Sequence, residues 1–504
     1  MQIFETDLLV IGGGINGTGI ACDAQGRGIN TILCEAKDLA RETSSYSSKL
    51  VHGGLRYLEQ YEFKLVREAL KEREVLLNKA PHLIQPLRFV LPHDKHLRPK
   101  WMLRAGLFLY DHLAKLKTLQ KSKGLSLKDS LEGQNLKDKF TYGFSYSDCK
   151  IDDARMVILN AKQAQQLGAK ILINTACVKA ERIDGKWKAT LESPTGEITV
   201  FAKAIVNATG PWVSDVLGKH IQSHSKSSVR LVQGSHIVVP KLFEGDHAYI
   251  LQNKDNRIVF AIPYGYVSKN ENHFTLIGTT DLNYEGDPRK VKISDKETQY
   301  LCELINEYFK KPIKPSDIIW AYSGVRPLYD DHTANVSKVT REYHFELEDE
   351  KGNLPLLSIF GGKITTFRTL SEAALEKLKP YFPEMKAPWT DKTKTPGGEA
   401  NSLDDIINTL KNEFSYLDDN LCYRYSSTYG LNAQIFLKNC QSMDDLGEHF
   451  GFNVYEKELE YLVNHEFAFD LYGIIWLRSK LGLWLNDEDK AKIENWLNNY
   501  LQAK

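Results

Sequence analysis

The fold is decided by the stretch Leu8-Leu9-Val10-Ile11-Gly12-Gly13-Gly14-Ile15-Asn16-Gly17. Its leading apolar residues predict a short strand of the kind that a parallel sheet buries on both faces. The glycines follow the spacing G-x-G-x-x-G, which suits a tight turn, close approach of a pyrophosphate to the backbone, and close packing of helix on strand. The helix that follows presents N–H groups and a partial positive charge at its amino end. The stretch therefore predicts a dinucleotide site built from Gly12, Gly14, Ile15, Asn16 and Gly17.

An acidic residue stands where such a site needs one. The apolar segment Thr31–Cys34 predicts the second strand, and Glu35 follows at its end. A carboxylate in this position accepts hydrogen bonds from an adenosine ribose. The glycine motif with its acidic residue fits either NAD or FAD.

Two further glycine segments favour FAD. Apolar residues 204–206 run into Asn207-Ala208-Thr209-Gly210, which resembles the second motif of flavoproteins that have two dinucleotide-binding folds. Apolar residues 356–360 run into Gly361-Gly362, and a helical pattern follows. A glycine turn that enters a helix makes a nest of backbone donors, suited to phosphates or to the carbonyl end of a flavin. The sequence therefore predicts bound FAD, with these residues beside it: Gly210, Gly362, Lys363 and Thr365.

Composition narrows the function classes. The 504 residues suggest two or three domains, and the net charge of zero gives no global basic excess of the kind that points to nucleic acid. The seven cysteines form no CxxC pair, which indicates reduced thiols rather than disulfides or a zinc site. The sequence has neither a secretion signal nor an apolar run long enough to span a bilayer. We expect a cytoplasmic protein that binds neither nucleic acid nor a metal.

One segment nevertheless suggests contact with a membrane. Residues 98–117 have a helical pattern that contains Trp101, Phe108 and several leucines. Basic amphipathic helices of this composition can lie in a membrane interface. A helix packed into the protein core, with its aromatic residues inside, fits the pattern equally well. The pattern places these charged residues toward one side: Lys100, Arg104, Asp111 and Lys115.

A set of short segments runs in order along most of the chain and points to one family. The segments are residues 11–19, 43–49, 52–58, 152–155, 207–212, 234–236, 278–281, 323–327 and 360–363. Together they resemble the bacterial, aerobic type of FAD-dependent glycerol-3-phosphate dehydrogenases, within the D-amino-acid-oxidase-like flavoproteins. We know of no other family that has all of these segments.

The patterns and the resemblance together predict an α/β fold class with three parts. A Rossmann-like FAD-binding domain comprises residues 1–75, 150–215 and 350–390. A substrate domain with an antiparallel sheet comprises residues 76–149 and 216–349. An α-helical carboxy-terminal domain, of unassigned role, comprises residues 391–504, and it begins with a linker rich in Thr, Lys, Pro and Gly.

The resemblance implies a reaction and its partners. Glycerol 3-phosphate would lose a hydride to FAD and become dihydroxyacetone phosphate, and the electrons would pass to ubiquinone or another membrane quinone. It also implies a homodimer that is peripherally bound to the inner face of the cytoplasmic membrane.

Candidate substrate residues follow from the chemistry of a phosphate and a secondary alcohol. A phosphate favours arginine, whose planar guanidinium has several donors. The alcohol needs a base of near-neutral pKa, and His236 matches a family active-site histidine. Arg326 or Lys363 would stabilise the developing alkoxide, and which of these residues takes the proton is left open. The predicted substrate-binding residues are Arg56, Tyr57, Arg326 and Arg341.

The resemblance adds cofactor contacts outside the glycine motifs. A loop rich in hydroxyl residues includes Ser47 and Ser48, which are expected at the FAD pyrophosphate. Gly53 lies in the segment His52-Gly53-Gly54-Leu55-Arg56. The backbone of Val178 is expected at the adenine.

Three other functions remain compatible with these residues. A soluble glycerol-3-phosphate oxidase would use oxygen as the acceptor. An amine or hydroxy-acid oxidase of the same fold would bind a carboxylate with the same arginines. A flavin-binding redox sensor without turnover is the third, although bare FAD binding does not need the substrate residues.

Overall fold

The fold was determined from a computed structural model, which describes residues 2–94, 98–115, 117–253, 255, 257–269, 271–330 and 342–503. The strands are, in chain order, β1 (Gln2–Ile11), β2 (Thr31–Cys34), β3 (Leu50–Val51), β4 (Ile84–Pro92), β5 (Lys123–Ser126), β6 (Tyr142–Ile151), β7 (Lys170–Leu172), β8 (Ala176–Ile183), β9 (Lys186–Ser193), β10 (Gly196–Asn207), β11 (Val229–Pro240), β12 (Ala248–Gln252), β13 (Ile258–Ser268), β14 (Glu271–Gly278), β15 (Leu282–Asn283), β16 (Trp320–Tyr329), β17 (His344–Glu350) and β18 (Asn353–Phe360). The helices are α1 (Ile15–Gly26), α2 (Phe63–Lys79), α3 (Lys100–His112), α4 (Leu131–Gln134), α5 (Asp153–Gln166), α6 (Val213–Lys219), α7 (Asp295–Tyr308), α8 (Phe367–Leu378), α9 (Leu403–Glu413), α10 (Asp419–Tyr429), α11 (Ala433–Leu437), α12 (Glu456–His465) and α13 (Asp487–Gln502).

The first sheet has the order β17-β18-β10-β1-β2-β7, with β8 and β9 attached beside β10. Strands β18, β10, β1, β2 and β7 run parallel, and Ile11 is in register with Asn207 on one side and Cys34 on the other. The carboxyl ends of these strands therefore meet at one edge of the sheet. Helices α1, α5 and α8 pack together against one face and bury the apolar strands. This edge is where an open α/β sheet binds its ligand.

The second sheet has the order β15-β11-β14-β13-β12-β4-β6-β3, with β16 paired to β11 and β5 paired to β6. Apart from the β12–β4 pair, its described pairs are antiparallel. Strand β3 follows the first sheet's β2 in sequence but belongs to the second sheet. The chain between β2 and β3 thus joins the two sheets, and it lines the space between them.

Helices α9 to α13 pack around a separate hydrophobic cluster after the linker. This confirms the helical character predicted for the carboxy-terminal part of the chain. Within the described residues, no helix is both long and apolar enough to cross a membrane. The predicted α/β fold class is confirmed, and the domain boundaries given above stay a prediction.

Helix α3 differs in two respects from the predictions for residues 98–117: its aromatic residues are not in the core, and Asp111 is not on the charged side. Trp101 and Phe108 are 70% and 57% exposed, so a helix with these aromatic residues in the core is wrong. Asp111 does not face the solvent beside the basic residues, because it is buried and accepts hydrogen bonds from the backbone and hydroxyl of Ser122. The buried face of α3 instead includes Leu107 and Tyr110.

Candidate active site

A cavity of about 640 Å³ lies at the carboxyl ends of β1, β2 and β10, between the two sheets. It is lined by most of the residues predicted for the site: Gly12, Gly14, Ile15, Asn16, Glu35, Ser47, Ser48, Arg56, Tyr57, Val178, Gly210, Arg326, Gly362, Lys363 and Thr365. Gly17, Gly53 and His236 do not line it, and Arg341 lies outside the described residues. Residues that are far apart in sequence thus converge on one space large enough for a cofactor and a small substrate.

The first glycine turn is built for close contact. Gly12 has a φ of +111°, and a Cβ there would lie 2.6 Å from the carbonyl oxygen of Ala208. A Cβ on Gly17 would lie 1.9 Å from the carbonyl oxygen of Gly12, so α1 packs directly on the turn. Gly17 therefore acts behind the cavity wall, as expected of the last glycine in the motif.

Glu35 lies at the rim of this turn. Its carboxylate accepts backbone hydrogen bonds from Gly13 at 2.6 Å and from Lys37 at 2.8 Å. Burial raises the pKa of Glu35, and the two backbone donors oppose that shift. A carboxylate has about four lone-pair sites, so the fixed side chain retains acceptors for the hydroxyls of a ribose.

Asn16 and the third glycine turn form the opposite wall. The Asn16 side-chain amide donates to the carbonyl of Gly361 at 3.1 Å, while its Oδ1 is buried and has no hydrogen-bond partner among the described residues. Gly361 and Gly362 have φ values of +75° and +100°. A Cβ on Gly362 would lie 3.0 Å from the Asn16 amide, so only glycine fits. An unpaired buried acceptor beside glycine turns fits a ligand that brings polar groups, as FAD does.

The hydroxyl residues sit on the 36–49 loop, which joins β2 to β3. Ser44 Oγ accepts from the backbone N–H of Ile15 at 3.0 Å, at the start of α1. Ser47 Oγ instead donates to Asp153 at 2.7 Å, and Ser48 Oγ lies 2.9 Å from Nε2 of His236. Both predicted serines reach the cavity, but their side chains already have protein partners. Ser44, which had no assigned role, is the hydroxyl at the helix amino end.

Gly53 and Val178 both make hydrogen bonds through their backbones. The Gly53 N–H points away from the cavity, toward the Tyr110 hydroxyl at 2.9 Å and Asp148 at 3.2 Å. Gly53 therefore supports the turn that bears Arg56 without touching the cavity. The carbonyl oxygen of Val178 lies 2.9 Å from Nδ1 of His220, and both residues line the cavity.

The cationic residues gather at the other end of the cavity. Lys363 Nζ lies 4.1 Å from the ring centroid of Tyr57. Arg326 donates to Asp281 at 2.7 Å and to Thr279 at 3.1 Å, and its side chain is 27% exposed. Arg56 has no hydrogen bond or ion pair with any residue that the structure describes, and it is half-buried. Asp281 compensates the charge of Arg326, and Arg56 and Lys363 add further positive charge to the lining of the cavity.

His236 lies behind the cavity wall. Its ring is 1% exposed, stacks on Tyr322 at 4.8 Å, and contacts the hydroxyl of Ser48. Its Nδ1 has no hydrogen-bond partner in the part of the chain that the structure describes. Burial, with help from Arg326 and Lys49, lowers the pKa of His236 well below its ordinary value. The ring is therefore neutral at physiological pH and reaches the cavity only through Ser48.

His52, like His220, lines the cavity, and the sequence patterns did not indicate it. Its backbone N–H donates to Thr365 Oγ1 at 3.3 Å, and its half-buried ring packs edge-on against Phe260. The sequence feature that could have indicated His52 is its position directly before the pair Gly53-Gly54, in the segment that also contains Arg56. A titratable ring in the turn that bears Arg56 is a candidate for proton transfer.

Comparisons with known proteins agree with this arrangement. Residues 7–368 match the DAO family, described as FAD dependent oxidoreductase. The glycerol-3-phosphate dehydrogenase of Pseudomonas aeruginosa is 51% identical, over 99% of this chain and 95% of its own length. The aerobic glycerol-3-phosphate dehydrogenase of Escherichia coli is 48% identical, over 99% of this chain and 98% of its own length. The D-erythritol 1-phosphate dehydrogenase of Brucella abortus is 49% identical, over 98% of both chains.

A solved structure extends the similarity to three dimensions. The glycerol-3-phosphate dehydrogenase of Bacillus halodurans, complexed with FAD, superposes with a TM-score of 0.74 at 25% identity. The alignment covers 99% of this chain and 95% of that chain, so it includes the helical carboxy-terminal region. The chain therefore belongs to the DAO family of FAD-dependent oxidoreductases, and FAD is its cofactor.

Proposed function

We propose that this protein oxidises sn-glycerol 3-phosphate to dihydroxyacetone phosphate and passes the electrons to a membrane quinone. The observation that best supports this is the group of cations in the same cavity as the glycine turns: Arg56, Arg326 and Lys363. Similarity to glycerol-3-phosphate dehydrogenases over nearly the whole chain supports the same substrate.

The glycine turns and Glu35 would hold the adenosine and pyrophosphate of FAD, and the flavin would accept the hydride from C2 of the substrate. Arg56 would bind the substrate phosphate, assisted by Lys363, since both cations line the cavity. Arg326 is then placed to stabilise the negative charge that develops on the C2 oxygen. Arg341 remains a predicted phosphate ligand.

The hydroxyl proton of the substrate needs an acceptor when the hydride leaves. The sequence predicts His236 as this base. The proton would then have to pass from the substrate to Ser48 Oγ and from there to His236. His52 offers the shorter route because its ring lines the cavity. We therefore propose His52 as the base and His236 as a neutral residue that orients the Ser48 hydroxyl.

A relative of similar identity acts on D-erythritol 1-phosphate, which also pairs a phosphate with a secondary alcohol. The longer polyol is thus the closest alternative substrate. Initial rates with glycerol 3-phosphate, D-erythritol 1-phosphate and unphosphorylated glycerol, at equal quinone concentration, distinguish these possibilities. We expect the highest kcat/KM for glycerol 3-phosphate and negligible turnover of glycerol. A higher value for the erythritol ester would move the assignment to that substrate.

Helix α3 is the proposed contact with the membrane. Trp101, Phe108 and Leu109 are exposed on its outer face, while Lys100, Arg104 and Lys115 are exposed nearby. An apolar surface bordered by basic side chains fits an interface with anionic lipids. The protein would lie on the cytoplasmic side of the membrane, and a homodimer stays a prediction. A soluble oxidase would need no such surface, which favours a quinone over oxygen as the acceptor.

A further inference from the structure

We propose that residues 466–480 of the carboxy-terminal region hold the 36–49 loop in the conformation that binds FAD. Retention of the cofactor would then depend on residues outside the matched family segment, which ends at residue 368. This inference concerns FAD binding and is independent of the substrate proposed above.

The 36–49 loop is a part of the cavity wall that needs outside support. It contains no strand, and its Ala40 and Lys49 adopt φ values of +61° and +57°. Non-glycine residues in this left-handed region are strained, and such conformations persist when their surroundings fix them. Asp38, Arg41 and Tyr46 of the loop line the cavity. Any movement of these residues changes the space that receives the cofactor.

The first contact is a buried ion pair. Arg478 pairs through both terminal nitrogens with the carboxylate of Asp38, with its second nitrogen 2.7 Å from Oδ1, and both side chains are fully buried. Arg478 is itself fixed by the carbonyls of Glu466 and Phe467, at 2.9 and 3.0 Å. A bidentate pair of this kind sets position and orientation together.

Two further contacts fix the middle of the loop. Arg41 donates to Asp470 at 2.8 Å and lies over the ring of Tyr472, 4.1 Å from its centroid. The hydroxyls of Tyr46 and Tyr472 lie 2.9 Å apart. Thus Asp38, Arg41 and Tyr46, which all line the cavity, each contact the same carboxy-terminal segment.

The shape of that segment matches this role. Gly473–Arg478 forms a π-helical turn, a distortion that is frequent at functional sites. A Cβ on Gly473 would lie 2.6 Å from Oδ2 of Asp38, so glycine allows the turn to approach the loop. The Gly473 N–H donates to Asp470 at 2.6 Å, which orients the carboxylate that binds Arg41.

The carboxy-terminal region also has anchors that do not involve the loop. Arg155 of α5 forms a buried ion pair with Glu466, and Trp320 stacks on Trp476 at 4.1 Å. Loss of a single loop contact should therefore leave the region docked. A change in FAD binding after loss of one loop contact can therefore be attributed to the loop and not to a general loss of structure.

The test measures FAD affinity in apoprotein by quenching of FAD fluorescence. Asp470→Asn keeps an acceptor for Gly473 but removes the charge that holds Arg41, and Tyr472→Phe removes only the hydroxyl. We expect Asp470→Asn to raise the FAD dissociation constant about fivefold or more, and Tyr472→Phe to raise it less. The control is Glu458→Gln, which breaks the buried pair with Arg424 inside the helical region. It should lower the melting temperature of apoprotein without weakening FAD binding.

A double-mutant cycle locates the effect in the loop. In an Arg41→Gln background, Asp470→Asn should change the FAD dissociation constant little, because its partner is already absent. The proposal is overturned if Asp470→Asn weakens FAD equally in both backgrounds. It is also overturned if FAD affinity falls in proportion to apoprotein melting temperature across all variants, including Glu458→Gln.

Discussion

Ser48 Oγ lies 2.9 Å from Nε2 of His236, and this contact separates the buried histidine from the cavity. The ring does not line the cavity, so we expect Ser48 rather than His236 to face a bound substrate. His52, in contrast, faces the cavity from the turn that bears Arg56. The two histidines therefore differ in what their loss should do.

Replacement of His52 by Gln should lower kcat by about 100-fold or more while FAD remains bound, since general base catalysis contributes on that scale. His236→Asn should have a smaller effect, because Ser48 remains in place. The rate of flavin reduction by glycerol 3-phosphate, measured in single turnovers from pH 5 to 9, checks this. If His236→Asn reduced this rate more than His52→Gln did, and His52→Gln were nearly as active as the parent, His236 and not His52 would be the base.

Arg56 should act mainly on the phosphate of the substrate. Arg56→Gln removes charge-assisted hydrogen bonds, and we expect kcat/KM for glycerol 3-phosphate to fall about 10- to 100-fold. Arg257→Gln is the matched control, because Arg257 pairs with Asp255 and lies over Tyr300, away from the cavity. Equal effects of the two substitutions would argue against a phosphate-binding role for Arg56.

Gly17 should be essential for the FAD site although it does not line the cavity. Gly17→Ala would place a Cβ 1.9 Å from the carbonyl oxygen of Gly12, so the helix or the turn must move. We expect the purified variant to lack FAD. Gly218→Ala provides the comparison, since a Cβ there meets nothing within 4 Å and the helix should tolerate it. Normal flavin content in Gly17→Ala would contradict the turn geometry.

Buried histidines should make the protein sensitive to acid. Burial, with the nearby Arg155, lowers the pKa of His82 to about 3, and neither ring nitrogen has a hydrogen-bond partner within the residues described above. The unfolded chain binds this proton near pH 6.5, so the stabilising contribution is complete above that pH and is lost as pH falls toward 3. One such histidine lowers the free energy of unfolding by about 2 kcal/mol when the pH falls from 7 to 5.

The variant His82→Gln removes the group that binds a proton when the chain unfolds. Its unfolding midpoint should fall less than that of the parent when the pH is lowered from 7 to 5. Thermal melts of FAD-loaded protein at the two pH values give the comparison. Parallel losses in the two proteins would mean that His82 accepts no proton on unfolding.

The membrane surface can be tested with vesicles. Replacing both Trp101 and Phe108 by Ser should weaken binding to anionic lipid vesicles about tenfold or more, because two large apolar side chains no longer enter the interface. Ile435→Ser removes another exposed apolar residue, 45% exposed, from the helical region and should have no effect. Unchanged vesicle binding of the double variant would exclude α3 as the contact.

The sequence predicted those parts of the fold that depend on neighbouring residues. Strand β1, the glycine turn and α1 follow from one short stretch of sequence. The convergence of Arg56, Arg326 and Lys363 also agrees with the predicted set. These features depend on local pattern or on motifs that match a family.

Features that depend on contacts between distant segments were not predictable in this way. His236 is buried because β11 lies between β14 and β16, which places Tyr322 against its ring. Asp111 turns inward because Ser122 supplies two donors from the chain beyond α3. No local pattern in residues 36–49 reveals that Asp38 will pair with Arg478, more than 400 residues later in the chain.

The central claim is most directly tested by anaerobic addition of glycerol 3-phosphate to the FAD-loaded protein, with the flavin absorbance followed over time. We predict rapid bleaching by glycerol 3-phosphate, little by glycerol, and recovery of the oxidised spectrum on addition of a soluble quinone. A flavin that stays oxidised with glycerol 3-phosphate, but is bleached by a chemical reductant, would contradict the proposed substrate.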